Sequence, residues 1–252
     1  MSNSIVKNQA FPLKCIDWKE MKVYEQSEAL PEHNLYNKGF NNLNHLLYPL
    51  EEVHTPLTDG YLLPPGDAPG MINKFNGNVS EKYEAPLLIT EKVLHEIFDN
   101  REEVHIFIGE TEHEGLVFMY LNPEDNEYYI ISNCDDFQHI TPEIFLANRT
   151  FYDENLKSIL DRFIPDGDPD PGNTKRFIVK NYIYTEFLRQ CVQDTGSRFV
   201  VRFYPAMHTI TDKYNNRLTF IMVVEKYIND ELVACEKTGL YDRNGLCPPG
   251  TC

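Results

Sequence analysis

Between residues 104 and 132 the chain carries three short runs, at 104–108, 116–121 and 127–132, each rich in β-branched and aromatic residues. Turn-forming residues close each run, around Glu112–Gly115 in one case and at Pro123, Asp125 and Asn126 in the other. Connections this short allow only tight reversals, so the reading is a three-stranded antiparallel meander. A helix is expected just before it. Thr90 is a good N-cap, and Val93, Leu94, Ile97 and Phe98 fall on one helical face. After the meander, Thr141 followed by Pro142 and Glu143 signals a second helix start. A third start at Asp153 leads into Leu156, Ile159, Leu160 and Phe163. Residues 165–173, dense in Pro, Gly and Asp, read as a linker.

The order then recurs. Phe177, Asn181, Tyr184, Leu188 and Cys191 predict a helix over about 176–193, with Gly196 placed to stop it. Strands are expected at 198–204, 217–227 and 231–236, with Asn229 and Asp230 as a hairpin turn. Residues 218–224 are apolar on both alternating faces, as a central strand covered on both sides should be. The fold class read from this is α+β: two helix-plus-three-stranded antiparallel units, an αβββ pseudo-repeat in element order, behind an irregular N-terminal arm. The corresponding division is an arm over 1–80, an acidic unit over 81–172, a second unit over 173–246 and a Cys-Pro tail over 247–252. Within the arm, Ile16, Trp18, Met21 and Tyr24 suggest one helix starting near Asp17. Residues 41–47 suggest another, and residues 61–70 read as loop.

With 252 residues and 42% hydrophobic content, the chain can bury a core without disulfide or metal staples. The net charge of −16 is concentrated in one place. Residues 81–172 hold 22 acids against 6 bases, whereas residues 173–252 hold 8 acids against 11 bases. Such a surface repels phosphate backbones and anionic lipid, so neither nucleic acid nor membrane is an expected partner. No apolar run is long enough to span a bilayer, and the first residues lack a signal-peptide core, which gives a soluble, cytoplasmic expectation with reduced cysteines.

Familiar catalytic signatures are missing: P-loop, GxGxxG, GxSxG and HExxH. His95 and Glu96 begin the last of these, but Asp99 stands where the second histidine belongs. Asp166, Asp168 and Asp170 alternate as hard-cation ligands do, yet Pro171 and Phe177 occupy the positions where a calcium loop needs Gly and Glu. They are kept as a metal candidate beside the plainer reading of an acidic linker. Glu110, Glu112, His113 and Glu114 cluster at a hairpin tip, where alternation would put the three glutamates on one side of the ribbon. Glu124, Asp125 and Glu127 cluster at the next turn. Cys134 and His139 follow a strand end, but Asp135 and Asp136 would raise the thiol's pKa and oppose its activation. Cys247 and Cys252 could form a disulfide loop, supply half a zinc site, or stay reduced. Asn78 and Asn148 match the glycosylation sequon through Ser80 and Thr150.

No catalytic residue or cofactor emerges from these patterns. The reading is a non-catalytic protein-interaction module whose acidic face, Glu110, Glu112, His113, Glu114, Glu124, Asp125 and Glu127, binds a basic protein partner or another copy of the chain. The alternatives are a hydrolase-like enzyme with a Cys/His/carboxylate or metal site, and a small-ligand binder on an aromatic sheet face.

Overall fold

A computed structural model describes residues 67–99, 101–111, 115–165, 172–181, 199–209, 215–228 and 231–234, together with two short strands, β1 (Ile16–Asp17) and β2 (Lys22–Val23). Helix α1 (Asp67–Asn76) and a 3-10 turn (Glu81–Tyr83) precede β3 (Leu87–Thr90) and α2 (Glu91–Phe98). The meander follows as β4 (Glu103–Thr111), β5 (Gly115–Leu121), β6 (Tyr128–Ile130) and β7 (Gln138–Ile140). Then come α3 (Pro142–Glu154), α4 (Leu156–Asp161), β8 (Arg176–Lys180), β9 (Phe199–Met207), β10 (Leu218–Ile228) and β11 (Glu231–Ala234). The class is α+β, with the larger sheets ordered β7-β6-β5-β4-β8 and β11-β10-β9-β3 and every pairing antiparallel.

The two sheets stack face to face. Phe118 of β5 sits at the centre, edge-on to Phe177 of β8, Phe203 of β9 and Phe220 of β10 at centroid distances of 5.0, 5.1 and 4.8 Å. Strand alternation sends the neighbours of these residues to the opposite faces. There α1 covers Tyr204, Ala206, Ile221 and Val223 with Ala68, Met71 and Ile72. On the far side α3 brings Phe145 onto Val117, Met119, Ile130 and Ile140. The described body therefore has four layers: helix, sheet, sheet, helix. Residues 218–224 are buried on both faces, as their continuous apolar run requires.

Local signals explain the elements that match expectation. Thr90 Oγ1 accepts from Val93 N and Thr141 Oγ1 from Ile144 N, each at 3.4 Å, so both N-caps form as read. Gly115 has φ +80°, and a Cβ there would stand 2.5 Å from the Lys82 carbonyl oxygen, so only glycine fits this strand start.

Four expectations need correction. Residues 176–180 are strand β8 and not the opening of a helix: Phe177 and Val179 enter the central core, and pairing with β4 overrides a helical spacing. The second unit thus opens on a strand, and the described residues do not establish the pseudo-repeat. Residues 16–17 and 22–23 pair as strands and do not form the single helix their spacing suggests; Ile16 lies opposite Val23, both β-branched. Residues 67–70 begin α1 and are not loop, because Pro69 in a first helical turn gives up an N–H that has no intrahelical partner. The expected helix start at Asp153 shifts to a break at Asn155 between α3 and α4. Strands β3 and β7 were not anticipated. The readings at 41–47, at Asn229 and Asp230, and at Cys247 and Cys252 lie outside the described residues.

Candidate functional site

The turn joining β5 and β6 is held by its own side chains. Asn126 takes φ +58°, a conformation asparagine tolerates. Asn122 N donates to Glu127 O at 2.9 Å, and Asn126 N to Asn122 O at 3.0 Å. Asn122 Oδ1 accepts from Glu124 N and from Arg101 Nη2, while Asn122 Nδ2 donates to Asp125 Oδ2 at 2.8 Å. Glu127 N donates to the other Asp125 oxygen at 2.9 Å, and Tyr129 OH donates to Glu127 Oε2. That last bond pushes the Tyr129 phenol up to about 12. Arg101 Nη2 also reaches Glu124 Oε1 at 2.9 Å, although the Glu124 side chain stays 74% exposed. Three carboxylates with one guanidinium leave this corner negative, and the turn presents them in fixed positions.

Helix α3 continues the same corner. Tyr128 lies opposite Ile140 at the end of the β6–β7 ladder, so Glu127 and Thr141 leave the sheet side by side. Phe145, Asn148 and Tyr152 turn inward, and the Phe145 ring rests on Tyr128 at 4.9 Å. The outward face carries Glu143, Leu146, Ala147, Thr150, Phe151 and Glu154. Leu146 is 58% and Phe151 38% exposed, large apolar side chains in a place where helices usually put charge. The Thr141 hydroxyl, bonded to the Glu143 carboxylate, holds that carboxyl below the ordinary range and keeps it ionised. The helix therefore shows an apolar stripe with a carboxylate at each end.

The structure places the residues singled out from sequence in quite different settings. Glu124, Asp125 and Glu127 are exposed together, whereas Glu110 is fully buried. Its Oε1 accepts from Lys82 Nζ and Tyr83 OH at 2.9 Å each, and its Oε2 accepts from Leu156 N at 3.3 Å, the start of α4. Glu110 is thus committed to internal partners, because strand alternation turns it into the core and not onto the ribbon's outer side. Glu112, His113 and Glu114 lie outside the described residues, as do Asp166, Asp168 and Asp170. Among the described residues no group of three or more His, Cys, Asp or Glu is arranged to hold a metal ion. Cys134 is buried and its thiol donates to Gln138 Oε1 at 3.6 Å, while the His139 ring is exposed and stands edge-on to Tyr129. The Asn148 amide of the second sequon is buried against Met119 Sδ, and Asn78 Nδ2 donates to Lys74 O at 2.6 Å.

Sequence reasoning missed a buried ion pair on the α1 side of the second sheet. Arg202 Nε and Nη2 donate to the two Glu225 carboxylate oxygens at 2.9 and 2.7 Å, and both residues are buried. Arg202 lies opposite Val223 and Glu225 opposite Val200, so the pair is diagonal on one face. A lone base and a lone acid inside two apolar runs were the available signal.

No helix in the described residues is long and apolar enough to cross a membrane. Compared with family models, with curated proteins and with solved structures, the chain finds no significant match.

Proposed function

We propose that this protein is a protein-interaction module whose α3 face and neighbouring acidic turn dock a basic, amphipathic segment of a protein partner. The observation that carries the reading is the outward stripe of Leu146, Ala147 and Phe151 between Glu143 and Glu154. Exposed apolar side chains with a carboxylate at each end, and the half-buried Arg149 held over Phe107 and Phe145 to one side, suit a site that steers a basic segment first and desolvates second. Glu124, Asp125 and Glu127 extend the field around the corner of the sheet, and the excess of acids over 81–172 supports steering over a longer range.

The test is affinity capture, with crosslinking, from cells that express the protein, comparing wild type with Leu146→Asp/Phe151→Asp. The expected result is a basic protein held by wild type, released in about 0.5 M salt, where screening is short-ranged, and lost in the double variant. Capture that ignores both salt and the double variant would remove α3 from the account.

A further inference from the structure

The two sheets treat their edges differently. At β3 the outward backbone of Leu88 is closed off: Leu88 N donates to Asn133 Oδ1 at 2.9 Å, and Asn133 N donates to Leu88 O at 2.8 Å. Asn133 sits at φ +60° to do this, mimicking one residue of a missing strand. The edge is thereby blunted.

Strand β8 has no such cover among the described residues. Its inner edge is fully used: Ile108 N donates to Lys175 O at 3.0 Å and Asn181 N to Glu102 O at 2.8 Å, which bracket the ladder with β4. That register turns the N–H and C=O groups of Arg176, Ile178 and Lys180 away from β4. The side chains of the same three residues project onto the outer face, since Phe177 and Val179 take the inner one. Arg176 lies over the Phe107 ring at 6.0 Å, and Lys180 Nζ is 3.9 Å from Glu103 Oε2. The edge thus presents base, apolar, base along a row of outward backbone donors and acceptors.

We propose that β8 accepts an extended acidic segment of a partner protein as an added antiparallel strand, with an apolar residue opposite Ile178 and carboxylates opposite Arg176 and Lys180. Main-chain bonds supply the attachment and the two bases select the charge pattern. The same two bases select against self-pairing. In an antiparallel pair centred on Ile178, Arg176 of one copy would face Lys180 of the other, like charge against like. This surface is the β8 edge and not α3's outward stripe, although Arg149 of α3 and Arg176 lie over the same Phe107 ring, and the two readings are tested by different variants and fail independently.

The experiment titrates the full chain with two short synthetic peptides, one built on Glu-Thr-Val-Thr-Glu and one on Lys-Thr-Val-Thr-Lys, each of which puts valine midway between two like charges on one strand face, and follows backbone amide shifts by NMR. The acidic peptide is expected to shift the amides of Arg176–Lys180 and to bind about tenfold more tightly than the lysine peptide, as two opposite-charge cross-strand pairs exchanged for two like-charge pairs imply. Ile178→Pro deletes an outward N–H without touching the β4 ladder, so it should keep the far-UV spectrum and melting temperature and abolish acidic-peptide binding. Arg176→Glu/Lys180→Glu should reverse the peptide preference, a readout that does not depend on the proline variant folding. Equal binding of the two peptides, shifts confined to other strands, no binding at all, or an unchanged preference in the charge-swap variant would each overturn the proposal.

Discussion

At the scale of single residues, the buried polar groups are the most informative. Arg202 and Glu225 are both buried and bonded through two parallel contacts. Glu225→Gln leaves the guanidinium buried beside a neutral amide, so it should cost about 3–5 kcal/mol. Urea unfolding would show this as a lower midpoint with an unchanged slope. Tyr129 offers a sharper, local readout. Its hydrogen bond to Glu127 pushes the phenol up to about 12, whereas a phenol in the unfolded chain ionises near ~10. The folded state thus prefers the protonated form. The resulting stabilisation is complete below about pH 10 and is lost as pH rises from about 10 to about 12. The ultraviolet titration of wild type minus that of Tyr129→Phe should isolate a transition near 12, and Glu127→Gln should move it back towards ~10. A Tyr129 transition at the ordinary value in wild type would contradict the bond. The sequence shows Arg202 and Glu225 each standing out in an apolar run, but nothing in it pairs them or ties Tyr129 to Glu127. Glu110 reads as a surface acid because its partners Lys82, Tyr83 and Leu156 lie far along the chain, and only folding brings them to it.

At the scale of elements, what could be read was what local chemistry decides. The caps at Thr90 and Thr141 bond residues only three positions on, and the meander declares itself through β-branched runs and turn residues. Strand β8 did not declare itself. Its spacing suits a helix as well as a strand, and pairing with β4 decides the matter. The four-residue β3 is likewise set by its neighbours, β9 on one side and Asn133 on the other. Asn133→Ala should therefore remove the side-chain bond to Leu88 N and place alanine at a left-handed φ. Together these cost about 2 kcal/mol, and hydrogen exchange at the Leu88 amide should speed up more than at Ile89. Equal rates at the two positions would mean that Asn133 does not protect this edge.

At the scale of the whole molecule, two sheets share one core and each carries a helix on its outer face. Stability comes from the interior, whereas the proposed docking stripe lies on the surface, so the two should separate under mutation. Leu146→Asp alters an exposed position and should change unfolding free energy by no more than about 0.5 kcal/mol, whereas Phe151→Asp, at a side chain 38% exposed in the last turn of α3, should cost about 1–2 kcal/mol. A large loss of stability would mean that α3's outward face is packed in the native molecule. The concentration of acids in residues 81–172 was visible from the start. Which of those acids reach solvent was not, because burial of Glu110 and exposure of Glu124 depend on strand register. The most direct test of the docking account is native mass spectrometry of the protein isolated at low salt from its own cells, beside the Leu146→Asp/Phe151→Asp variant. The account predicts a complex with a basic protein for wild type and the chain alone for the variant. Wild type found alone, or a complex that the variant retains, would contradict it.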